Sequence, residues 1–337
     1  MIAIQNAMFL FFFSLMNLFF RLPVKNNKQN FYAIDGYAQG TTYHISYSQN
    51  DSLVTQKQVD SILNKIDSSL SLYKSYSLIN RFNNSMSGIA VDDHFIKVVK
   101  KSLETYLLTD GAFDITVKPL VQAWGFGVNG FNSLPDSSTI VALKQCTGSL
   151  MLKLENNEVK KSKPCIQIDC NGIAQGYSVD VLADFLEDNN IENYLVELGG
   201  EIRVKGKNKN GELWSVGIES PVDPDLRPMQ RIIHIKKGAV TTSGNYRKFY
   251  TSGSKKYNHI IDPSTGYPVD NGMISVTVIA KDAITADAFD NSFMVMGLKR
   301  SFEFLAQRND MEAFFIYTKQ DGSIGDTATG KFYNFIF

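Results

Sequence analysis

Several features that would decide the function at once are missing from this 337-residue chain. Its 34 basic and 34 acidic residues cancel, so there is no broad basic field of the kind nucleic-acid binding requires, and no nucleic-acid partner is expected. The basic residues do not gather either. Lys160, Lys161 and Lys163 are the densest group and Lys255 with Lys256 a second; both read as solvated loops. Three cysteines, Cys146, Cys165 and Cys170, are too few for a disulfide framework, and none forms a CxxC pair for zinc or dithiol chemistry. They are expected to be free structural thiols, with a single bridge as the alternative. Four histidines, His44, His94, His234 and His259, are too scattered for a sequence-evident metal cluster. No internal repeat is visible.

A long apolar run is present, at the start. From Ile2 to Leu22 the chain is almost wholly apolar, centred on MFLFFFSLMNLFF, with Arg21 as its first charge. Residues 1–24 are therefore expected to be an export signal or an N-terminal membrane anchor. No Lys or Arg precedes the run and no small-x-small cleavage site follows cleanly, so anchor and cleaved signal both stay open, as does a start at Met8. No cysteine lies nearby to carry a lipid. The polar stretch 25–34 reads as a linker and 35–337 as one folded domain. The domain is expected outside the cytoplasm, exported or held at the inner membrane.

Within that domain, Thr41 to Tyr47 alternates like a strand. Helical spacing recurs from Thr55 to Leu72 and from Phe95 to Leu108, the latter ending at Asp110-Gly111. Further helices are expected over about Gly172–Asp188 and Thr285–Met296. Strands are expected at Tyr194–Leu198, Glu201–Lys205, Trp214–Ile218, Ile274–Ile279 and Ala313–Tyr317. Helices and strands mix without a regular βαβ rhythm, so the fold class is α+β. Val128–Ser138 and Pro221–Pro228 read as surface loops.

Four stretches carry chemistry. In IDCNGIAQGYSVDVLADFL (Ile168 to Leu186), a short strand ends at Asp169, turns through Asn171-Gly172 and becomes a helix. A helix entrance with glycine suits a phosphate, and Gln175 lies in the first turn; simple packing glycines are the plainer explanation. In ITADAFDNSFMVMG (Ile284 to Gly297), Asp287 and Asn291 are four apart on one helix face, and two such oxygens can hold Mg²⁺. Asp290 is adjacent and could act through water; a solvated acidic patch is the alternative. In HIIDPSTGYPV (His259 to Val269), His259 is a candidate general base, while Asp262 could be no more than the cap of its own turn. In TDGAFDITVKPLVQAWGFG (Thr109 to Gly127), Phe113 and Trp124 could face a planar ring, although such aromatics are commonly core.

The order of these blocks, with GTTYHI (Gly40 to Ile45), SLYKSYSLINRFN (Ser71 to Asn83), LVELGGEIRVKG (Leu195 to Gly206) and TSGNYRKFY (Thr242 to Tyr250), resembles the ApbE-type FAD:protein FMN transferases from about Ala38 to Gly297. The resemblance implies a mixed fold with an antiparallel sheet and packed helices. It also implies an enzyme that binds FAD with Mg²⁺, cuts the pyrophosphate, releases AMP and joins FMN to Thr or Ser of an acceptor. That acceptor would be a flavoprotein subunit of a membrane electron-transfer complex. By the same resemblance Gln39, Tyr73, Ala112, Phe113, Asp114, Asp169, Gln175, His259 and Ile260 line the FAD site. Mg²⁺ is held by Asp287, Asn291 and the carbonyl of Gly172. His259, with Asp262 as second choice, takes the acceptor's proton. The chain departs from the family at Asn291, where Thr is common, at Gln175, where Lys is common, and at Gln39, where Met is common. Two alternatives stay open: an Mg²⁺-dependent FAD pyrophosphatase and an exported FAD-binding protein without chemistry.

Overall fold

Alternation along one strand organises the molecule. In the segment Met273–Ala280, Val276, Val278 and Ala280 join a core on one face, while Ile279 joins a core on the other. A strand buried on both faces lies inside a sandwich of layers, and the surrounding elements show which layers these are. The computed structural model describes residues 30–336 apart from 52, 131–132, 219–230, 247 and 254. The expected export segment, residues 1–24, and the Pro221–Pro228 loop lie outside the described residues. No helix among the described residues is long and apolar enough to cross a membrane.

In chain order the elements are β1 (Asn30–Ala38), β2 (Thr41–Gln49), α1 (Gln56–Leu70), α2 (Leu78–Asn84), β3 (Gly88–Ala90), α3 (Asp93–Leu108), α4 (Lys118–Ala123), α5 (Ser137–Lys144), β4 (Leu152–Glu155), β5 (Glu158–Lys161), α6 (Ala174–Asp188), β6 (Asn193–Leu198), β7 (Glu201–Lys205), β8 (Trp214–Ile218), β9 (Arg231–Ile235), β10 (Lys237–Gly244), β11 (Phe249–Ser252), β12 (Lys255–Asn258), β13 (Met273–Ala280), α7 (Ala283–Leu305), β14 (Met311–Thr318) and β15 (Ile324–Ala328). Eight strands make one sheet in the order β1-β2-β6-β7-β10-β13-β14-β15, antiparallel at every pairing from β2 to β15. This is the α+β class expected. On one face α1, α6 and α7 bury Val59, Leu63, Val179, Leu182, Phe289 and Phe293 against Tyr43, Ile45, Val276 and Val278. The other face is covered by the β8–β9 hairpin, through Trp214, Val216, Ile218, Ile233 and Ile235, with Phe332. A third apolar cluster joins α1, α2 and α3 to Ile166, Ile168 and Tyr177.

Several expectations need correction. β1 starts at Asn30, inside the stretch read as linker. α5 starts at Ser137, inside a stretch read as loop, because Asp136 caps it by accepting from Thr139 N at 2.7 Å. α7 extends nine residues past Met296 because a break at Gly297, φ 73°, lets the chain resume helix instead of ending it. Lys161 is not a solvated loop residue: it is buried in β5, its Nζ donating to the carbonyl of Ile166 at 2.8 Å and lying over the Phe82 ring. The cysteines are not all free. Cys146 and Cys165 are bridged, brought together by the β4–β5 hairpin folding back between them, and Cys170 alone is free and buried.

Candidate active site

A cleft of about 980 Å³ opens where the entrance of α6, the first turns of α7 and the end of β10 face Tyr73, Phe113 and His259. Of the residues expected at the site, Gln39, Tyr73, Ala112, Phe113, Asp114, Asp169, Gly172, Gln175, His259, Ile260, Asp287 and Asn291 all line it. They come from segments as far apart in sequence as Gln39 and Asn291.

One wall is set by two helices in contact. Gly176, in the first turn of α6, donates its N–H to Asp287 Oδ2 at 2.9 Å. A Cβ at Gly176 would fall 2.4 Å from the Ala283 carbonyl oxygen, so glycine is what allows this approach. Asn291, one turn after Asp287, directs its amide nitrogen to Asp287 Oδ1 (3.3 Å), Asp290 Oδ1 (3.0 Å) and the Gly172 carbonyl (3.4 Å), and its oxygen accepts from Ser243 Oγ at 3.2 Å. Asp287 and Asp290 are buried, and burial lifts both carboxyls well above the usual range; for Asp290 the neighbouring Asp287 adds to the rise, while for Asp287 the Gly176 N–H opposes it. Paired buried carboxyls of this kind favour a cation.

The donors fit Mg²⁺. A carboxylate, an amide oxygen and a backbone carbonyl are hard oxygens of the type it takes, and few protein ligands suffice because it keeps waters and substrate phosphates. Turning the Asn291 amide by 180° presents Oδ1 to the same place that Nδ2 now faces; the two ends of an amide are assigned from hydrogen bonding. Among the described residues no group of three or more His, Cys, Asp or Glu forms a metal cluster.

The remaining polar groups divide between chemistry and scaffolding. Asp169 is half-buried; burial raises its carboxyl, opposed by the Asn171 N–H at 2.8 Å and by Lys118 and Lys248. One oxygen of the Asp114 carboxylate is committed to structure, Oδ1 accepting from Thr116 N (2.8 Å), Thr116 Oγ1 (2.6 Å) and Ser149 Oγ (2.6 Å). Gln39, at φ 52°, donates to Ser178 Oγ at 2.8 Å and so ties the β1–β2 turn to α6. Tyr73 is an exposed ring on the rim.

On the opposite wall His259 is half-buried, and burial pushes its imidazole down to about 4. Its Nδ1 lies 3.2 Å from the Lys248 carbonyl, which can only accept; Nδ1 therefore carries the proton and Nε2 keeps its lone pair. Phe126 stands edge-on to this ring at 6.3 Å and begins a ladder through Tyr250 (5.2 Å), Tyr257 (5.5 Å) and Trp124 (5.5 Å). Trp124 is thus core, its Nε1 donating to the Gly266 carbonyl at 2.8 Å; the aromatic side chains that line the cleft include Phe113 and Phe126, with Tyr37 and Tyr73.

Asp262 is not brought to the site. Its Oδ1 accepts from Ser264 N (2.8 Å) and Ser264 Oγ (2.7 Å), its carbonyl accepts from Gly266 N (2.7 Å), and it is absent from the cleft lining. It is the cap of its own turn. Ser243, Glu201, Lys248 and Phe126 are lining residues with no role assigned from sequence; TSGNYRKFY, LVELGGEIRVKG and WGFG were the available signals for them.

The sequence and fold match known proteins along most of their length. A family model, the ApbE family, matches residues 39–315. The FAD:protein FMN transferase of Vibrio cholerae serotype O1 is 39% identical over 296 residues, 86% of this chain and 88% of that protein. That of Haemophilus influenzae is 32% identical over 305 residues, 87% of this chain and 88% of that protein. Among solved structures, the flavin transferase ApbE from Vibrio cholerae superposes with a TM-score of 0.83 at 37% identity, covering 91% of this chain and 99% of its own. The Pseudomonas stutzeri flavinyl transferase ApbE, apo form, also gives 0.83, at 31% identity over 91% and 97% of the two chains. Fold and sequence together define an enzyme of the transferase class. The chain belongs to the ApbE family.

Proposed function

We propose that the chain is an Mg²⁺-dependent FAD:protein FMN transferase, which cuts the FAD pyrophosphate, releases AMP and joins FMN through a phosphoester to Ser or Thr of an acceptor protein. The observation that carries the reading is the convergence of Gly172, Asp287 and Asn291 on one wall of a cleft whose other wall presents His259. The described lining holds seven carboxylates (Asp60, Asp67, Asp114, Asp169, Glu201, Asp287 and Asp290) and two lysines (Lys74 and Lys248), a poor host for a pyrophosphate by itself.

Mg²⁺ held by the Asp287 carboxylate, the Asn291 amide oxygen and the Gly172 carbonyl would neutralise the pyrophosphate and the charge that develops there. The protein's own part is positioning and proton removal. The Gly176 N–H holds Asp287 in place. Phe113 and Phe126 supply apolar faces for the flavin ring, and the exposed Tyr73 covers it from the rim. His259, neutral at physiological pH because burial opposes its charging, accepts the Ser or Thr proton at Nε2, with Nδ1–H fixed by the Lys248 carbonyl.

The acceptor is proposed to be a flavoprotein subunit of a membrane electron-transfer complex, and the enzyme to work outside the cytoplasm. The apolar segment Ile2 to Leu22 and the Cys146–Cys165 bridge both support that setting, since disulfides persist in oxidising compartments. Incubation with FAD, Mg²⁺ and such a subunit should leave fluorescent acceptor after denaturing electrophoresis. Free FMN and AMP without labelled protein would replace transfer with hydrolysis, and unchanged FAD would leave only a binder.

A further inference from the structure

We propose that Asp180 is a positioning residue for the donor set of Gly172, Asp287 and Asn291, holding the helix that carries two of these donors by its entrance. The inference rests on the reading of that set as a divalent-cation site.

Asp180 lies in α6, buried and absent from the cleft lining; its charge is felt by Asp287, but its hydrogen bonds go elsewhere. Its Oδ1 accepts from Ala283 N at 2.9 Å and its Oδ2 from Ile284 N at 2.8 Å. Those are the first two backbone N–H groups of α7. The third, Thr285 N, goes to Asp282 within the same chain segment at 3.1 Å. Helix entrances are ordinarily capped by a side chain from just before them. Here two of the donors go to a carboxylate 103 and 104 residues earlier in sequence, on a different helix. Arg203 on β7 fixes that carboxylate, its Nη1 donating to Oδ1 at 2.8 Å and reaching Asp184 at 3.1 Å.

The geometry acts on the donors through one turn of each helix. Gly176 and Asp180 are four apart on α6 and share a face; Ala283 and Asp287 are four apart on α7. Gly176 meets Asp287 while Asp180 meets Ala283, so the two contacts form a clasp spanning a single turn of both helices. Sliding or rotating α7 against α6 breaks the Asp180 pair, and the same movement carries Asp287 and Asn291 away from the Gly172 carbonyl at the entrance of α6.

The test is Mg²⁺ binding by calorimetry, with Mn²⁺ electron paramagnetic resonance as a second readout, on the purified full-length protein. Asp180→Asn keeps the shape but puts an NH₂ against a backbone N–H. It should weaken Mg²⁺ binding by roughly 10- to 100-fold, the usual cost of disturbing what orients metal ligands. A role confined to fold stability would lower the melting temperature and leave the Mg²⁺ affinity of the folded protein unchanged, and that result overturns the proposal. If Asp180→Asn fails to fold, Arg203→Gln loosens the same carboxylate from outside; unchanged affinity there is equally fatal. Asp287→Ala gives the reference for a lost donor. Wild-type protein that binds no Mg²⁺ would overturn the cation reading itself, and the proposal with it, whereas binding by wild type and undiminished binding by Asp180→Asn overturns the proposal alone.

Discussion

On one side of the cleft α6 and α7 meet so closely that no side chain fits between Gly176 and the Ala283 carbonyl. On the other side His259 sits between β12 and a turn, supported by the Phe126 ring and held by the Lys248 carbonyl. The first wall is specified by a few short hydrogen bonds between regular elements. The second is specified by an aromatic ladder and, at a distance, by covalent chemistry: the Cys146–Cys165 bridge anchors the end of α5, and Lys144 in that helix bonds the Ser264 carbonyl beside Asp262. Under the proposed function, oxygen donors that converge on one ion would need the stiffer support, and a base that meets an incoming protein would tolerate the looser one.

That contrast can be broken most severely at Asp287. Asp287→Ala should lower flavin transfer by on the order of 10³-fold, the scale of losing a group that organises charge stabilisation; covalent acceptor fluorescence measures it, and a rate near wild type would remove the first wall from the chemistry. Next comes His259→Gln, which should cost roughly 10²- to 10⁴-fold in turnover while FAD affinity measured by fluorescence changes little. The pH profile sharpens the point. Burial has lowered the His259 imidazole to about 4, so the neutral base is present throughout the neutral range. Activity assigned to it should disappear as pH falls through about 4; a limb near 6.5 instead would mean an exposed ring.

The support of the second wall is tested by Cys146→Ser. The bridge closes a loop between positions 19 apart, and its loss should lower unfolding stability by about 3 kcal/mol, read from denaturant unfolding. Smallest is Asp262→Asn, which should leave the transfer rate unchanged and cost about 1 kcal/mol through the weakened turn. A large loss of turnover would return Asp262 to the chemistry.

Sequence periodicity located α6, α7 and the strands at Glu201–Lys205 and Trp214–Ile218, because each presents apolar residues at the repeat of its own geometry. Local spacing also put Asp287 and Asn291 on one face. What it missed depends on distance along the chain. Nothing around Asp180 shows that its carboxylate caps a helix a hundred residues later. Nothing around Lys161 shows that the Ile166 carbonyl and the Phe82 ring receive it in the interior. Cys146 and Cys165 have no motif spacing, and only the β4–β5 hairpin makes them neighbours. Asp114 and Asp262 part ways in the structure: Asp114 lines the cleft as expected, with its Oδ1 accepting from Thr116 and Ser149, whereas the carboxylate of Asp262 stays on its turn.

The unpaired Cys170 has a practical consequence. The other two cysteines, Cys146 and Cys165, are joined, and burial, helped by Asp169, pushes its thiol pKa far up. In the native protein it is both shielded and protonated, the combination least reactive toward thiol reagents or exchange with the bridge. Only opening of the helix-and-strand core around it would release a thiolate. The oxidised enzyme therefore carries its own unfolding clock: the rate at which a thiol reagent labels that one sulfur reports how often the core around it comes apart.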